Sequence, residues 1–377
     1  MTGRGAARPD RVLVMLATML RPDAPLGVSD PACGWESLLA LAAEHRLLPA
    51  LWSRLRQRGV QPLPDVLRED ERGRPRPFAV LQDAYDENAA RVADLRAQGE
   101  ELLGALAAGG VDTIPVKGLH WLLAGWLRDP AARVMVDIDL VVPANRAATA
   151  VAIAADVGDQ PVVIDDPEGM ADHEVITMMA PGRRGSVELQ IAPLVRRYDA
   201  VLPVDELRAG AITIDVCGRA QRVPNPTQAM TLTIAHAQLQ DECHRLLEIP
   251  LRALFDVAVV VTAGTALVDW DEVTHHFAGA GYARALAGFA VASDELLGVT
   301  LPLSRRGRSR RLAAARAALR HPRLAQTYRE TVTLPRALSS ARMTRLYRAD
   351  GPFGRSWARV RHVARGAGRR LAGLGRQ

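Results

Sequence analysis

Residues 116–142 read VKGLHWLLAGWLRDPAARVMVDIDLVV, and the run Val136-Asp137-Ile138-Asp139-Leu140 near its end decides the fold. Side chains two apart on a β-strand share a face. Asp137 and Asp139 therefore project side by side, while Val134, Val136, Ile138, Leu140 and Val142 turn the other way, towards a core. Two carboxylates forced together repel, and removal from water makes the repulsion worse. A cation between them relieves it, and hard oxygen ligands of this kind suit Mg²⁺. At the other end of the stretch, Lys117-Gly118 follows the apolar run Val111–Val116 and precedes an amphipathic segment. That is a strand–turn–helix junction, where an ammonium and free backbone N–H groups can meet phosphate.

Working outward, the expected elements are a strand over 111–116, a helix over 118–127 and the carboxylate strand over 134–142. Asn145 is expected to cap a helix over 146–157. After a polar turn at Asp165–Gly169, residues 173–180 alternate as a strand, and Pro181-Gly182-Arg183-Arg184-Gly185 returns the chain into a second arm, Ser186–Pro193. That arm places Glu188 beside the Asp137/Asp139 strand. Strands at 212–216 and 221–223 are expected to close the domain. Upstream, 35–58 has helical spacing broken at Pro49, 59–77 is rich in proline and charge, and a long helix runs over 78–108 to Gly109-Gly110. His45 and Trp52 read as packing residues. Downstream, Pro224-Asn225-Pro226 breaks the chain, and helices are expected over 227–247, 251–263, 271–279 and 282–299. The order of elements predicts an α+β fold, a small mixed sheet flanked by N-terminal and C-terminal helical regions. The expected divisions are 1–108 (helical), 109–223 (sheet core), 224–303 (helical bundle) and 304–377 (Arg-rich tail).

Lys117-Gly118 opening a helix, Arg133 four residues before Asp137, D-I-D-L-V-V, and Glu188 in SVELQIAPL together resemble the nucleotidyltransferases of the DNA-polymerase-β superfamily. The chain looks most like a bacterial family of largely uncharacterised nucleotidyltransferases found in polysaccharide and natural-product gene clusters, over roughly residues 30–265. That resemblance implies a helical bundle after the catalytic sheet. It also implies a place in or near the cleft for His236, in T-I-A-H-A-Q-L, and for Arg252 and Asp256, in an R-x-L-x-D-like segment. The plainer reading of the last two, four apart on a helix, is an i,i+4 ion pair. Two departures stand out: Lys-Gly-Leu replaces the usual Gly-Ser helix opening, a variant also seen in relatives of the abortive-infection type toxins, and Gln190 stands where the family has histidine. Glu188 itself replaces the aspartate common in the superfamily.

The constellation supports metal-assisted nucleotidyl transfer. Asp137 and Asp139 would hold one Mg²⁺ on a nucleoside triphosphate and share a second with Glu188, activating an acceptor hydroxyl for attack on the α-phosphorus. Lys117 and Gly118 would meet the triphosphate, with Arg133 doing the same or orienting Asp137. The acceptor is read as a small molecule or biosynthetic intermediate. The competing readings are an RNA-directed, toxin-like transferase and a catalytically silent binding relative.

Composition bounds the rest. Hydrophobic residues make up 48% of the 377 and aromatics only 4%, so the core must be built from Ala, Leu and Val. No apolar run reaches membrane-spanning length and no signal peptide is visible, so a cytoplasmic protein is expected. Cys33, Cys217 and Cys243 are too scattered for a disulfide framework, and Cys243 with His236 and His244 lacks zinc spacing. There is no G-x-x-x-x-G-K-[ST] loop, no G-x-G-x-x-G after a strand and no G-x-S-x-G elbow, which removes P-loop kinases, dinucleotide oxidoreductases and serine hydrolases. Residues 303–377 hold 20 arginines against two acids, a net +18 that leaves −12 for the rest of a +6 chain. Such a tail could hold RNA, but Trp357 is the only aromatic in Ser356–Ala372. The alternatives are an anionic membrane surface, solvent, or helices packed on the body through Leu312, Leu319, Leu334 and Leu346. Lys117 is the only lysine in the chain.

Overall fold

A computed structural model describes residues 8–22, 33–61, 76–161, 174–264, 267–303, 310–337 and Ser356. Contacts divide the chain into one unit of Met1–Val163 with Ala171–Arg320, and another of Ile164–Met170 with His321–Gln377.

In the first unit, α1 (Pro9–Leu20), α2 (Trp35–Glu44) and α3 (Leu48–Gln57) precede the long α4 (Pro77–Ala108). Pro49 lies in the first turn of α3, where its missing N–H is no loss. Leu81, Val92, Leu95, Leu102 and Leu106 of α4 are buried, the stripe that the helical period demands. Gly109 caps α4, and Gly110 takes the left-handed backbone that lets the chain turn away. The sheet region then runs β1 (Ile114–Val116), α5 (Lys117–Leu123), β2 (Asp137–Val141), α6 (Ala147–Asp156), β3 (Gln160–Pro161), β4 (Glu174–Met179) and β5 (Ser186–Gln190). After α7 (Val204–Gly210) comes a hairpin of β6 (Ile212–Val216) and β7 (Arg219–Val223). Helices α8 (Pro226–Ala235), α9 (Cys243–Leu246), α10 (Leu251–Ala263), α11 (Trp270–Gly279), α12 (Ala283–Leu297) and α13 (Arg310–Arg320) complete this unit. In the second unit the described helix is α14 (Pro322–Ala337).

The five-stranded sheet has the order β1-β2-β5-β4-β3. Its central pair, β2 and β5, is parallel, and the other neighbours are antiparallel. The fold is α+β with a small mixed sheet, as the order of elements implied. Ile138, Leu140, Val187 and Leu189 are fully buried on one face, in a core shared with Leu95, Leu102 and Leu106 of α4 and Ala150 and Ala154 of α6. The acidic residues of β2 and β5 lie on the opposite face by strand alternation. A second, larger core joins α1–α3 to α8 and α10–α13, and reaches the sheet through Ile114, Val116 and Val141. Trp52 is part of it, a packing residue as expected. Leu312 of α13 is buried there, with Leu319 packed against it.

Several local expectations are corrected. The carboxylate strand is shorter than 134–142, and the helix after Lys117 ends at Leu123. Asn145 is no cap: residues Ala144–Arg146 form a 3-10 turn after Pro143, and the N-cap of α6 is Arg146, without a side-chain bond. The strands β6 and β7 do not extend the main sheet but form their own two-stranded one. The single helix expected to Leu247 is broken. It starts with an Asn225–Gln228 capping box, widens to a π-turn over His236–Gln240, and resumes as α9 between left-handed Glu242 and Leu247. The loop at 62–75, the turn at Asp165–Gly169, the Leu334 side chain, Leu346 and the rest of the basic tail beyond α14, Ser356 apart, lie outside the described residues.

Candidate functional site

The site begins at the end of β1. Lys117 has φ +52, a left-handed conformation that non-glycine residues rarely adopt, and through it the strand passes directly into α5. In the β1–β2 register Val116 lies opposite Asp139, so the next residue's side chain is delivered over the middle of β2. The Lys117 Nζ donates to Asp139 Oδ1 at 2.5 Å. In the parallel β2–β5 register Asp139 is directly opposite Glu188, which brings the third carboxylate beside the first two. Gln190, two residues further along β5 on the same face, donates its Nε2 to Asp139 Oδ1 at 2.8 Å and to Glu188 Oε2 at 3.3 Å. Gln190, which stands where the resemblance implied histidine, thus bridges the two carboxylates, and its own Oε1 is buried without a protein partner.

Electrostatics follow from three acids facing one lysine. Burial pushes the Glu188 carboxyl up to about 8, with Asp139 and Asp137 adding to the shift and Lys117 opposing it. Burial also raises Asp137, reinforced by Asp139 and opposed by Lys117, Arg252 and Arg133. For Lys117, burial favours the neutral amine, but Asp139, Glu188 and Asp137 together outweigh it and hold the ammonium above its ordinary value. The cluster is short of positive charge. Among the described residues no three acidic, histidine or cysteine side chains form a ready-made metal cage.

Arginines stand beside this cluster. The Arg133 Nε donates to Asp256 Oδ2 at 3.0 Å, and its guanidinium lies 5.2 Å from the centre of the Trp121 ring. A Cβ on Gly118 would come within 2.7 Å of Arg133 Nη1, so glycine there is what lets the guanidinium lie against the start of α5. Arg252 donates to the Val134 carbonyl at 2.5 Å. Arg252 and Asp256 therefore take separate partners instead of the i,i+4 pair that their spacing suggested, and both tie α10 to the segment leading into β2. Burial lowers Arg252, and the nearby Arg133 and Arg46 lower it further while Asp256 and Asp137 oppose them. Arg46 was not singled out from sequence. It sits exposed in the α2–α3 turn with φ +56, one arginine among 47, and only the fold brings it near Arg252. The His236 Nδ1 lies 3.3 Å from Asp241 Oδ2 at the π-turn.

Among the described residues no helix is long and apolar enough to cross a membrane. No curated protein and no solved structure matches the chain. Residues 31–298, well over half of it, match a family described as uncharacterised nucleotidyltransferase. The match takes in the strand carrying Asp137 and Asp139, the strand carrying Glu188, and the helices on either side of them. The chain belongs to this family of nucleotidyltransferases and is a transferase.

Proposed function

We propose that the protein transfers a nucleoside monophosphate from a nucleoside triphosphate to a hydroxyl of a small molecule or biosynthetic intermediate, with Mg²⁺ as the working cation. The observation that carries this reading is the cross-strand placement of Glu188 opposite Asp139, with Asp137 on the same face of β2. The chemistry of the donor set suits a hard divalent ion: three carboxylate side chains, with Asp137 and Glu188 raised first by burial and then by neighbouring carboxylates, and one compensating lysine. Mg²⁺, when bound, would neutralise triphosphate oxygens and make an acceptor hydroxyl easier to deprotonate. Asp137 and Asp139 would hold it, with Glu188 sharing a second ion. Lys117 and the backbone of Gly118 would meet the phosphates. Arg133, anchored by Asp256, orients the β2 entrance, and Arg252 and Arg133 add positive charge near Asp137.

The test is ligand-dependent stabilisation together with transfer. Nucleoside triphosphate plus Mg²⁺ should raise the thermal midpoint of the wild type, and Asp137→Asn or Asp139→Asn should abolish both that rise and transfer of label from the α-phosphate. Metal-free Asp137→Asn should remain folded, because loss of one like charge relieves repulsion, whereas Asp139→Asn also weakens the pairing to Lys117, so its folded state is checked by circular dichroism. Equal stabilisation of mutant and wild type by the ligands would sink the carboxylate assignment.

A further inference from the structure

The Lys117–Asp139 contact has two unequal partners. Asp139 has 1% of its side chain exposed, whereas Lys117 keeps 24%, so the carboxylate is enclosed while part of the lysine side chain meets solvent. Lys117 occupies an oxygen, Asp139 Oδ1, that Gln190 also uses, and with both donors in place that oxygen is taken. Arg252 and Arg133 also act on Asp137, but Arg133 bonds Asp256 and Arg252 a backbone carbonyl, so Lys117 is the cation in direct contact with Asp139. Lys117 also has a left-handed backbone, which non-glycine residues rarely adopt.

We propose that Lys117 is a removable internal counter-ion: it neutralises the carboxylate cluster in the nucleotide-free protein and exchanges onto the triphosphate when nucleotide binds, freeing Asp139 for a divalent cation. The inference rests on the nucleotidyltransferase reading of this site and adds an order of events to it. A divalent ion alone must compete with an ammonium already seated on Asp139. A triphosphate offers that ammonium an alternative anion, so cation and nucleotide bind tightly only together. No bond is made or broken in the exchange; one ion pair is traded for two. Free enzyme is thereby kept from collecting metal that has no nucleotide to act on.

The experiment measures Mn²⁺ binding, by its effect on water proton relaxation, in the wild type and in Lys117→Gly, each with and without a non-hydrolysable triphosphate. Glycine suits φ +52, so this variant removes the ammonium and also relieves the backbone. Without nucleotide, Lys117→Gly should bind Mn²⁺ roughly tenfold or more tightly than wild type, since an opposing charge in contact with a carboxylate has left. With triphosphate the wild type should gain Mn²⁺ affinity and the variant should gain much less. Equal nucleotide-free affinities for the two proteins would overturn the counter-ion role while leaving the cation site standing. Absence of Mn²⁺ binding in both proteins, with and without triphosphate, would overturn the site reading and this inference with it. A second measurement needs no variant. Because Lys117 is the only lysine, ¹⁵N-lysine labelling gives one side-chain ammonium signal. That signal should move on addition of triphosphate, and a signal that stays in place contradicts the exchange.

Discussion

Replacing Asp256 by leucine isolates the contact that ties the C-terminal helices to the carboxylate strand. The Arg133–Asp256 pair is almost dry, with side-chain exposures of 11% and 5%. At 3.0 Å and an effective dielectric of about 20 the attraction is on the order of 5 kcal/mol. Most of that offsets the desolvation of both ions, so the pair itself adds little net stability. Breaking it is a different matter. Asp256→Leu leaves a guanidinium confined between Gly118 and the Trp121 ring with Arg252 close by, and an uncompensated buried charge costs about 3–5 kcal/mol. The double variant Arg133→Met/Asp256→Leu removes both charges and should recover all but about 1 kcal/mol of the loss. Urea unfolding followed by far-ultraviolet circular dichroism measures the three stabilities. Gly118→Ala supplies a cross-check. The added Cβ needs Arg133 to give way, which its anchor to Asp256 prevents, so alanine should be tolerated better in the double variant than in wild type. If Asp256→Leu costs under about 1 kcal/mol, or the double variant is no more stable than the single one, the pair is screened by water and this reasoning fails.

Three further outcomes are expected. The metal-free Glu188 carboxyl lies near 8 against an ordinary 4.5, so its stabilising protonation is complete below about 4.5 and is lost as the pH rises through about 8; Glu188→Gln should therefore gain stability over wild type progressively between about pH 5 and about pH 9, and a constant difference across that range would contradict the shift. Gln190→Leu removes the donor shared by Asp139 and Glu188 and should lower metal-free stability by about 1–3 kcal/mol in urea unfolding, whereas an unchanged midpoint would mean that the amide bridges nothing. A chain ended at residue 309 lacks α13, whose Leu312 and Ala315 are buried in the core that also contains α1 and α12; it should aggregate, and a soluble, monodisperse product on gel filtration would show that this cover is dispensable.

What was legible in the sequence follows the range of the interactions. The two-residue period of Val136–Leu140 fixed which carboxylates share a face, and S-V-E-L-Q placed Glu188 and Gln190 together in the same way. The α4 stripe was readable because its period persists over 32 residues. Interactions with long sequence separation were not readable. Arg133 and Asp256 stand 123 residues apart, and within α10 the nearer partner for Asp256 by spacing was Arg252. The break after Ala235 was hidden because T-I-A-H-A-Q-L-Q-D-E-C-H-R-L-L contains neither glycine nor proline. The chain nonetheless makes an i→i−5 bond from Asp241 to His236 and puts Glu242 into the left-handed region. Arg46 could not be distinguished at all in a chain whose every basic residue but one is arginine.

The carboxylate sheet alone cannot explain why the family match runs from residue 31 to residue 298. The segment entering β2 suggests a reason. From the N-terminal side, Ser53 and Tyr85 donate to the Asp129 carboxylate, and Asn88 of α4 donates to the carbonyls of Ala131 and Arg133. From the C-terminal side, Arg252 donates to the Val134 carbonyl and Asp256 accepts from Arg133. Residues 129–134 are thus clamped by helices that precede and follow the sheet in sequence. A short turn leading into the carboxylate strand would otherwise have several unpaired backbone carbonyls and little packing of its own, and a displacement of about 1 Å there moves Asp137 and Asp139 by a similar distance. On this account the flanking helices are part of the site's geometry. Asn88→Ala, which removes the donor to two carbonyls that lie 43 and 45 residues further along the chain, should then reduce transfer as well as stability. A variant that is destabilised but transfers at the wild-type rate when folded would reduce the helices to a scaffold.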